Sequence, residues 1–201
     1  IVKGVPIDAS MSYTGTFFTL LNPLSIMGGL TMIVIFMLHG ANFLNLKLSD
    51  ELHERTIRVA KTFWVTTLAL AAVYLIWLVF TTNAFLEKGL VGMILPLLAA
   101  VALVLTRVFM GKKEGWAFAM TGLTIFFAVS SLFVALFPNV MISSTSPDFN
   151  LTITNASSSP YTLKVMTIVA CVMVPIVLAY QIWTYVIFRK RVKADAKTLT
   201  Y

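Results

Sequence analysis

The chain contains five long stretches in which apolar residues follow one another without a charged side chain. They cover residues 23–46, 62–86, 89–106, 116–137 and 165–188, and none contains Asp, Glu, Lys or Arg. A helix rises about 1.5 Å per residue, so each stretch is about as long as the ~30 Å hydrocarbon layer of a bilayer is thick. The pattern therefore predicts five membrane-spanning helices, which we number spans one to five.

A large soluble helical protein is the alternative interpretation of these stretches. Helices of soluble proteins carry an apolar stripe on one face, whereas the five stretches are apolar on every face. Only 11% of all residues are charged, compared with about 25% in typical soluble domains. We therefore expect an all-α membrane protein.

The basic residues are distributed unevenly among the connections. Four lie between spans one and two, three between spans three and four, and five after span five, while Lys3, Lys88 and Lys164 lie on the other side. Because Lys and Arg are enriched on the cytoplasmic side, this distribution predicts that the chain starts outside and ends in the cytoplasm. The chain is therefore expected to cross a membrane several times.

The net charge has the same topological explanation. A formal charge of +7 would suggest nucleic-acid binding in a soluble domain. Here the basic residues are divided among separate loops and form no continuous stretch that a nucleic acid would follow. We expect no nucleic-acid partner.

Three parts of the chain are expected from this layout: an outer segment at 1–22, a membrane domain at 23–188 and a basic cytoplasmic tail at 189–201. Ile1 reads as an internal position, so the chain is expected to be part of a longer subunit. Ser49 precedes two acidic residues, as at a capped helix start, and span two should therefore begin before the bilayer.

The long outer loop at 138–160 is rich in Ser, Thr and Asn. Loops of this length are either ordered and functional or disordered. The string Leu151-Thr152-Ile153-Thr154 favours a short extended piece. Asn150 and Asn155 each begin a glycosylation tripeptide, a match that is common by chance.

His39 is the one imidazole within a predicted span. Polar groups in a membrane are costly and are functional candidates for that reason. We interpret His39 as structural, because Gly40, Ala41 and Asn42 follow it and suit close packing between helices. A ligand or proton-carrying role is the alternative, and one imidazole does not make a haem or metal site. No catalytic, cofactor-binding or metal-binding residue is therefore predicted.

Other chemical motifs are missing from the sequence. It has no glycine-rich phosphate loop with its lysine, no CxxC and no HExxH, so hydrolysis and phosphoryl transfer have no support. The single cysteine, Cys171, lies within span five and is expected to act as a small apolar residue.

Small residues allow the spans to approach one another closely. Gly28 and Gly29 lie side by side in span one, and alanines cluster in spans two and three. Small residues are typical of helix contacts in membranes. They favour packing within this chain or against another subunit, and the sequence leaves both open.

Several separated strings resemble subunit II of the cytochrome bd-type quinol oxidases. In the first half they are Leu20-Leu21-Asn22-Pro23, Gly28-Gly29, His39-Gly40-Ala41 and Glu51-Leu52-His53-Glu54-Arg55-Thr56. In the second half they are Phe137-Pro138-Asn139-Val140-Met141, Leu163-Lys164-Val165-Met166-Thr167 and Val174-Pro175-Ile176-Val177-Leu178. These strings follow the family order and cover essentially the whole chain.

The resemblance implies the C-terminal part of that subunit, from just before its fifth helix, within a pseudo-repeated helical bundle. It implies a bacterial respiratory complex that oxidises quinol, reduces oxygen to water and takes protons from the cytoplasm. In that family subunit I holds two b-type haems and one d-type haem, and subunit II supports it without ligating haem. The implied partners are subunit I, a small single-helix accessory subunit, quinol and membrane lipid.

Two other classes remain open at this point. A fragment of a secondary transporter would usually need membrane-embedded carboxylates or broken helices for its coupling ion, and the charge-free spans weigh against it. A purely structural membrane subunit without any electron-transfer partner is the second. A haem d band in the purified assembly would exclude both.

Overall fold

A computed structural model describes residues 1–82, 85 and 88–188, apart from the side chain of residue 91. The helices are α1 (Phe17–Leu20), α2 (Pro23–Lys47), α3 (Asp50–Thr81), α4 (Gly89–Phe109), α5 (Glu114–Leu136) and α6 (Pro160–Ile187). Within this part of the chain, five helices are long and apolar enough to cross a membrane. They correspond to the five predicted spans, which confirms the all-α membrane fold.

Two of the helix ends differ clearly from the predicted ones. Span two was predicted to end at residue 86, but α3 ends at Thr81, while residues 83, 84, 86 and 87 lie outside the described part. Span five was predicted to begin at residue 165, but α6 begins at Pro160. Ser159 caps this helix by accepting a hydrogen bond from the Thr162 amide, and a proline suits the first helical turn.

The four helices α2 to α5 form a bundle of two antiparallel hairpins. α2 packs along α3, α4 packs along α5, and the hairpins meet mainly where α2 contacts α5. One apolar cluster joins all four helices through Leu38, Ala60, Leu103 and Ala117. A second cluster lies nearer the opposite end, around Leu24, Leu78, Phe85 and Ala135.

The two hairpin connections lie at one end of the bundle, which we call the basic end. They consist of residues 48–49 and 110–113. Gly111 has a φ of +78°, a left-handed conformation that glycine adopts without strain. The predicted basic tail at 189–201 follows α6 and lies outside the described residues.

The opposite end carries an ordered cap formed by residues 1–16 and 138–157, which we call the capped end. Strands β1 (Asn139–Met141) and β2 (Leu151–Thr152) pair antiparallel, and a 3₁₀ turn at Pro147–Phe149 lies between them. β2 covers the first half of the predicted extended piece at 151–154, and residues 153 and 154 lie in a turn. The Val5 amide donates to the Ile142 carbonyl at 2.9 Å, so the first residues are tied to this loop.

α6 differs from the other long helices because it stands apart from the bundle. None of its most apolar stretch is buried. Contact is made near its final turn, where the Tyr185 ring lies 6.0 Å from that of Phe43 and the Lys47 ammonium donates to the Phe188 carbonyl.

Candidate functional site

A cavity of about 470 Å³ lies between the four helices of the bundle. Side chains from every helix line it, among them Gly28, Thr31 and Ile35 on α2, Ala71, Tyr74 and Leu78 on α3, Pro96, Ala99 and Leu103 on α4, and Thr124, Ala128 and Ser131 on α5. No charged residue is among the described residues that line it. The cavity therefore offers contacts to apolar groups.

The hydroxyl groups in the cavity wall are directed to the backbone of their own helices. Thr31 donates to the Met27 carbonyl at 2.8 Å, and Thr124 donates to the Met120 carbonyl at 2.9 Å. Ser131 likewise donates to the Ala128 carbonyl at 2.7 Å. Such local bonds satisfy the hydroxyls within their helices, so the wall presents mainly methyl and methylene groups.

The two adjacent glycines of α2 have different surroundings. A Cβ atom on Gly28 would lie 3.0 Å from the Tyr74 ring, whereas a Cβ on Gly29 would meet nothing within 4 Å. Gly28 therefore allows α3 to approach α2 closely, as the sequence suggested for both glycines. Gly29 has no such role within this chain.

His39 connects α2 to α5 on the side of the bundle that faces the basic end. Its Nδ1 atom lies 2.8 Å from the Thr121 hydroxyl, and its ring stacks on Phe118 with centroids 4.4 Å apart. The Thr121 hydroxyl is also within 2.8 Å of the Phe118 carbonyl. Since a hydroxyl has one proton, we assign that proton to the carbonyl and the Nδ1 proton of His39 to Thr121.

Sequence reasoning named Asn42 only for close packing beside His39, and it did not single out Asn45 or the His53–Glu114 pair, all of which lie at the basic end. His53, in the first turn of α3, lies with its Nε2 atom 3.0 Å from the Glu114 carboxylate at the start of α5. Asn42 and Asn45 are each only 1% exposed. Both asparagines lie in an apolar run and carry no charge, so a hydropathy pattern does not distinguish them from their neighbours.

The Trp64 indole also makes an interhelical bond near this end. It donates to the Leu103 carbonyl at 2.7 Å and so joins α3 to α4. The residue is therefore held within the bundle by its polar atom, in addition to the apolar contacts of its ring.

The side chains of Asn150 and Asn155 are used within the capped end. The Ser143 amide donates to Asn150 Oδ1 at 2.7 Å, and the Thr152 amide donates to Asn155 Oδ1 at 2.6 Å. Asn155 Nδ2 in turn donates to the Asn150 carbonyl at 3.0 Å. These bonds give both asparagines a structural role in shaping the loop.

Side chains that could hold a metal ion do not cluster in the described part of the chain. Among the described residues, no group of three or more His, Cys, Asp or Glu side chains comes together. The sequence has two histidines, and they pair with Thr121 and Glu114 respectively. Cys171 lies exposed on α6, away from both.

Comparison with known proteins identifies a family that this chain matches. A family model described as cytochrome bd terminal oxidase subunit II matches residues 1–188. The chain is 36% identical over its full length to cytochrome bd ubiquinol oxidase subunit 2 of Bacillus subtilis and 29% identical to cytochrome bd-I ubiquinol oxidase subunit 2 of Escherichia coli.

A further relative, the probable cytochrome oxidase subunit 2 of Haemophilus influenzae, is 30% identical over 92% of the chain. The chain spans 60%, 62% and 58% of the length of these three curated relatives, respectively. The match is therefore complete for this chain and partial for the relatives.

Proposed function

Since the chain belongs to the cytochrome bd terminal oxidase subunit II family, we propose that it works within a quinol oxidase of a bacterial membrane. The complete complex oxidises quinol and reduces oxygen to water. In this proposal subunit I is the partner that holds the haems, two of b type and one of d type, and this chain supports subunit I without ligating haem.

The observation that supports a non-ligating role for this chain is the set of contacts made by the His39 ring. An axial haem ligand presents an imidazole nitrogen to the iron. His39 is the one histidine of the five long apolar helices outside the first turn of α3, and its ring is stacked on Phe118 and bonded to Thr121. This arrangement supports a role in holding α2 against α5. A ligating histidine also holds its second ring nitrogen in such a bond, so the assignment of redox chemistry to the neighbouring subunit rests on the family resemblance.

The orientation we propose puts the basic end in the cytoplasm and the capped end outside. Lys47, Arg107, Lys112 and Lys113 lie at or beside the hairpin connections. The bundle brings both connections to one end, which supports a single positively charged face. The positive-inside rule then assigns that face to the cytoplasm, with the tail at 189–201 on the same side.

A small single-helix accessory subunit and membrane lipid are the further partners that we propose. The exposed apolar surface of α6 provides one surface on which such contacts would form. No nucleic-acid partner is proposed, because the basic residues at the hairpin connections have a topological explanation.

The central test is replacement of His39 by Leu in the complete oxidase. We expect the purified complex to retain the absorption bands of all its haems, with lower thermal stability. Haem content per subunit I, measured by optical spectroscopy after pyridine treatment, is the readout. Loss of a haem from complexes that contain every subunit would contradict the proposed non-ligating role.

A direct test of family function uses the complete complex as well. Purified together with subunit I, it should oxidise a reduced quinol with uptake of oxygen, measured with an oxygen electrode. A haem-free preparation with every subunit present would contradict membership in a working oxidase.

A further inference from the structure

Two asparagines at the basic end of α2 are buried without satisfying their polar atoms. Asn42 and Asn45 are each 1% exposed. Among the described residues, Nδ2 and Oδ1 of Asn42 have no hydrogen-bond partner, and Oδ1 of Asn45 has none either. Residues three apart lie on the same face of a helix, so the two amides share one region of the bundle interior.

His53 brings a fourth unsatisfied atom to the same end of the molecule. Its Nε2 atom is paired with the Glu114 carboxylate at 3.0 Å, but its Nδ1 atom is buried without a partner. Asn45 lies in the last turn of α2 and His53 in the first turn of α3, and only residues 48 and 49 separate the two helices. The unsatisfied atoms are therefore gathered where the hairpin closes.

The apolar cluster of the basic end contains several small side chains. Ala41, Ala60 and Ala117 are buried in the apolar cluster of the basic end, and each contributes a single methyl group. Buried polar atoms without partners are rare in folded proteins and call for an unseen partner, most often water or an ion.

The chemistry of the unsatisfied atoms identifies the partner. The set contains an N–H donor, Asn42 Nδ2, and two carbonyl acceptors, Oδ1 of Asn42 and of Asn45. A cation would satisfy the oxygens and repel the amide protons, and an anion would do the reverse. Water both donates and accepts, so it matches the whole set.

We propose that ordered water occupies the interior of the basic end and bridges Asn42, Asn45 and Nδ1 of His53. A buried water usually makes about three hydrogen bonds to otherwise unsatisfied groups. The His53–Glu114 pair, with both side chains 19% exposed, lies between this hydrated site and the surface. The proposal concerns the bundle itself and does not depend on the proposed oxidase function.

The first test replaces each asparagine by leucine, which has the same branched arrangement of heavy atoms and no polar atom. In a dry interior this change removes an unsatisfied group and should stabilise the protein. In a hydrated interior it leaves the water and the remaining polar atoms without a partner, so we expect Asn42→Leu and Asn45→Leu to lower the melting temperature of the complete complex. An unchanged or higher melting temperature would overturn the proposal.

Thr67→Val is the matched control for this test. Thr67 on α3 is 0% exposed and its hydroxyl also has no partner among the described residues, but it lies about five helical turns from the start of α3, away from the other unsatisfied atoms. We expect this replacement to leave the melting temperature unchanged or to raise it. A decrease equal to that of Asn42→Leu would mean that isosteric replacement alone is harmful, and would remove the support for water.

The second test measures access of water directly and does not depend on stability. A single cysteine is placed at residue 45 or, as a dry control, at residue 60, both in a Cys171→Ala background. The charged reagent methanethiosulfonate ethylammonium should modify Asn45→Cys faster than Ala60→Cys, because Ala60 is buried among apolar side chains. Equal rates would overturn the proposal.

A cation in place of water is tested with the unchanged complex. The melting temperature is measured in sodium chloride and in choline chloride of equal concentration. We expect the same value in both salts. A clear stabilisation by sodium ions would overturn the proposal in favour of a cation site.

Discussion

The four-helix bundle and α6 have similar composition but very different surroundings. α2 to α5 bury Leu38 fully and Ala60 fully, and they exchange interhelical hydrogen bonds through His39 and Trp64. α6 is as long and as apolar, yet its most apolar stretch is entirely exposed within the chain. An apolar helix is therefore recognised by its composition, while its packing depends on partners that its composition does not identify.

The bundle and α6 also differ in the interactions that each makes. Inside a membrane, apolar side chains gain little from leaving lipid, so helices associate through close packing and interhelical hydrogen bonds. The bundle supplies both, through small residues such as Gly28 and polar ones such as His39. α6 has the apolar length for a span, and near its final turn it reaches Phe43 and Lys47.

The largest expected effect compares two leucines, one from each region. Leu38 is 0% exposed and Leu178 is 56% exposed. Leu38→Ala should lower the free energy of unfolding by about 2–5 kcal/mol, because it opens a cavity in a packed interior. Leu178→Ala should change it by less than about 0.5 kcal/mol in this chain, as for surface positions. Denaturant titration in detergent measures both.

The same two variants also distinguish the bundle from α6 in the complete complex. If α6 packs on another part of the assembly, Leu178→Ala should weaken that contact, seen as a lower yield of intact complex after purification. Equal loss of stability for both variants in the isolated chain would contradict the separation between bundle and α6.

A second comparison lies within the bundle and uses the adjacent glycines. Gly28→Ala should destabilise by about 1–3 kcal/mol, the usual cost of overpacking, because its Cβ would meet the Tyr74 ring at 3.0 Å. Gly29→Ala meets nothing within 4 Å and should be neutral or stabilising. Thermal unfolding of the two variants is the measurement, and a larger loss for Gly29→Ala would contradict the packing of α2 on α3.

A third prediction tests the polar contact between α2 and α5. His39→Leu should cost about 1 kcal/mol, as expected for the loss of one hydrogen bond. His39→Asn keeps an N–H donor near the position of Nδ1 and should recover part of that loss. Thermal unfolding again measures the difference. Equal stability of the two variants would show that ring packing on Phe118, rather than the Thr121 bond, holds the helices.

The smallest effect is expected at the capped end, outside both regions. The Ser10 hydroxyl and the Ser12 amide donate to the Asp8 carboxylate and hold the pKa of this group below its ordinary value. A lowered pKa in the folded state stabilises above the ordinary carboxyl pKa, and this contribution is lost as the pH falls through the lowered value.

Asp8→Asn should therefore flatten the dependence of stability on acid pH, with little effect at neutral pH. Melting temperatures of the parent and the variant between neutral and strongly acid pH test this expectation. An unchanged acid dependence in the variant would mean that other carboxylates control it.

Much of the fold could be predicted from the sequence because membrane spans are defined by unbroken apolar length. The starts of α2 and α3 agree with the prediction, but the expected capping by Ser49 was wrong, because its side chain makes no cap hydrogen bond to α3. The start of α6 was missed because Lys164 interrupts the apolar run, although Ser159 and Pro160 mark the true helix start. The site was harder to predict, since Asn42 and Asn45 carry no charge and do not stand out in an apolar helix.

The sequence by itself determined the number of spans, the unequal distribution of basic residues and the family resemblance, since all three depend on the order of residues along the chain. Only the tertiary structure decided that Gly28 faces Tyr74 while Gly29 faces outward, that His39 bonds to Thr121, and that α6 stands apart. The physical reason is that these helices are apolar on every face, so no periodicity marks the side that packs. The side of each helix that packs is determined by contacts between helices, which join residues far apart in the chain.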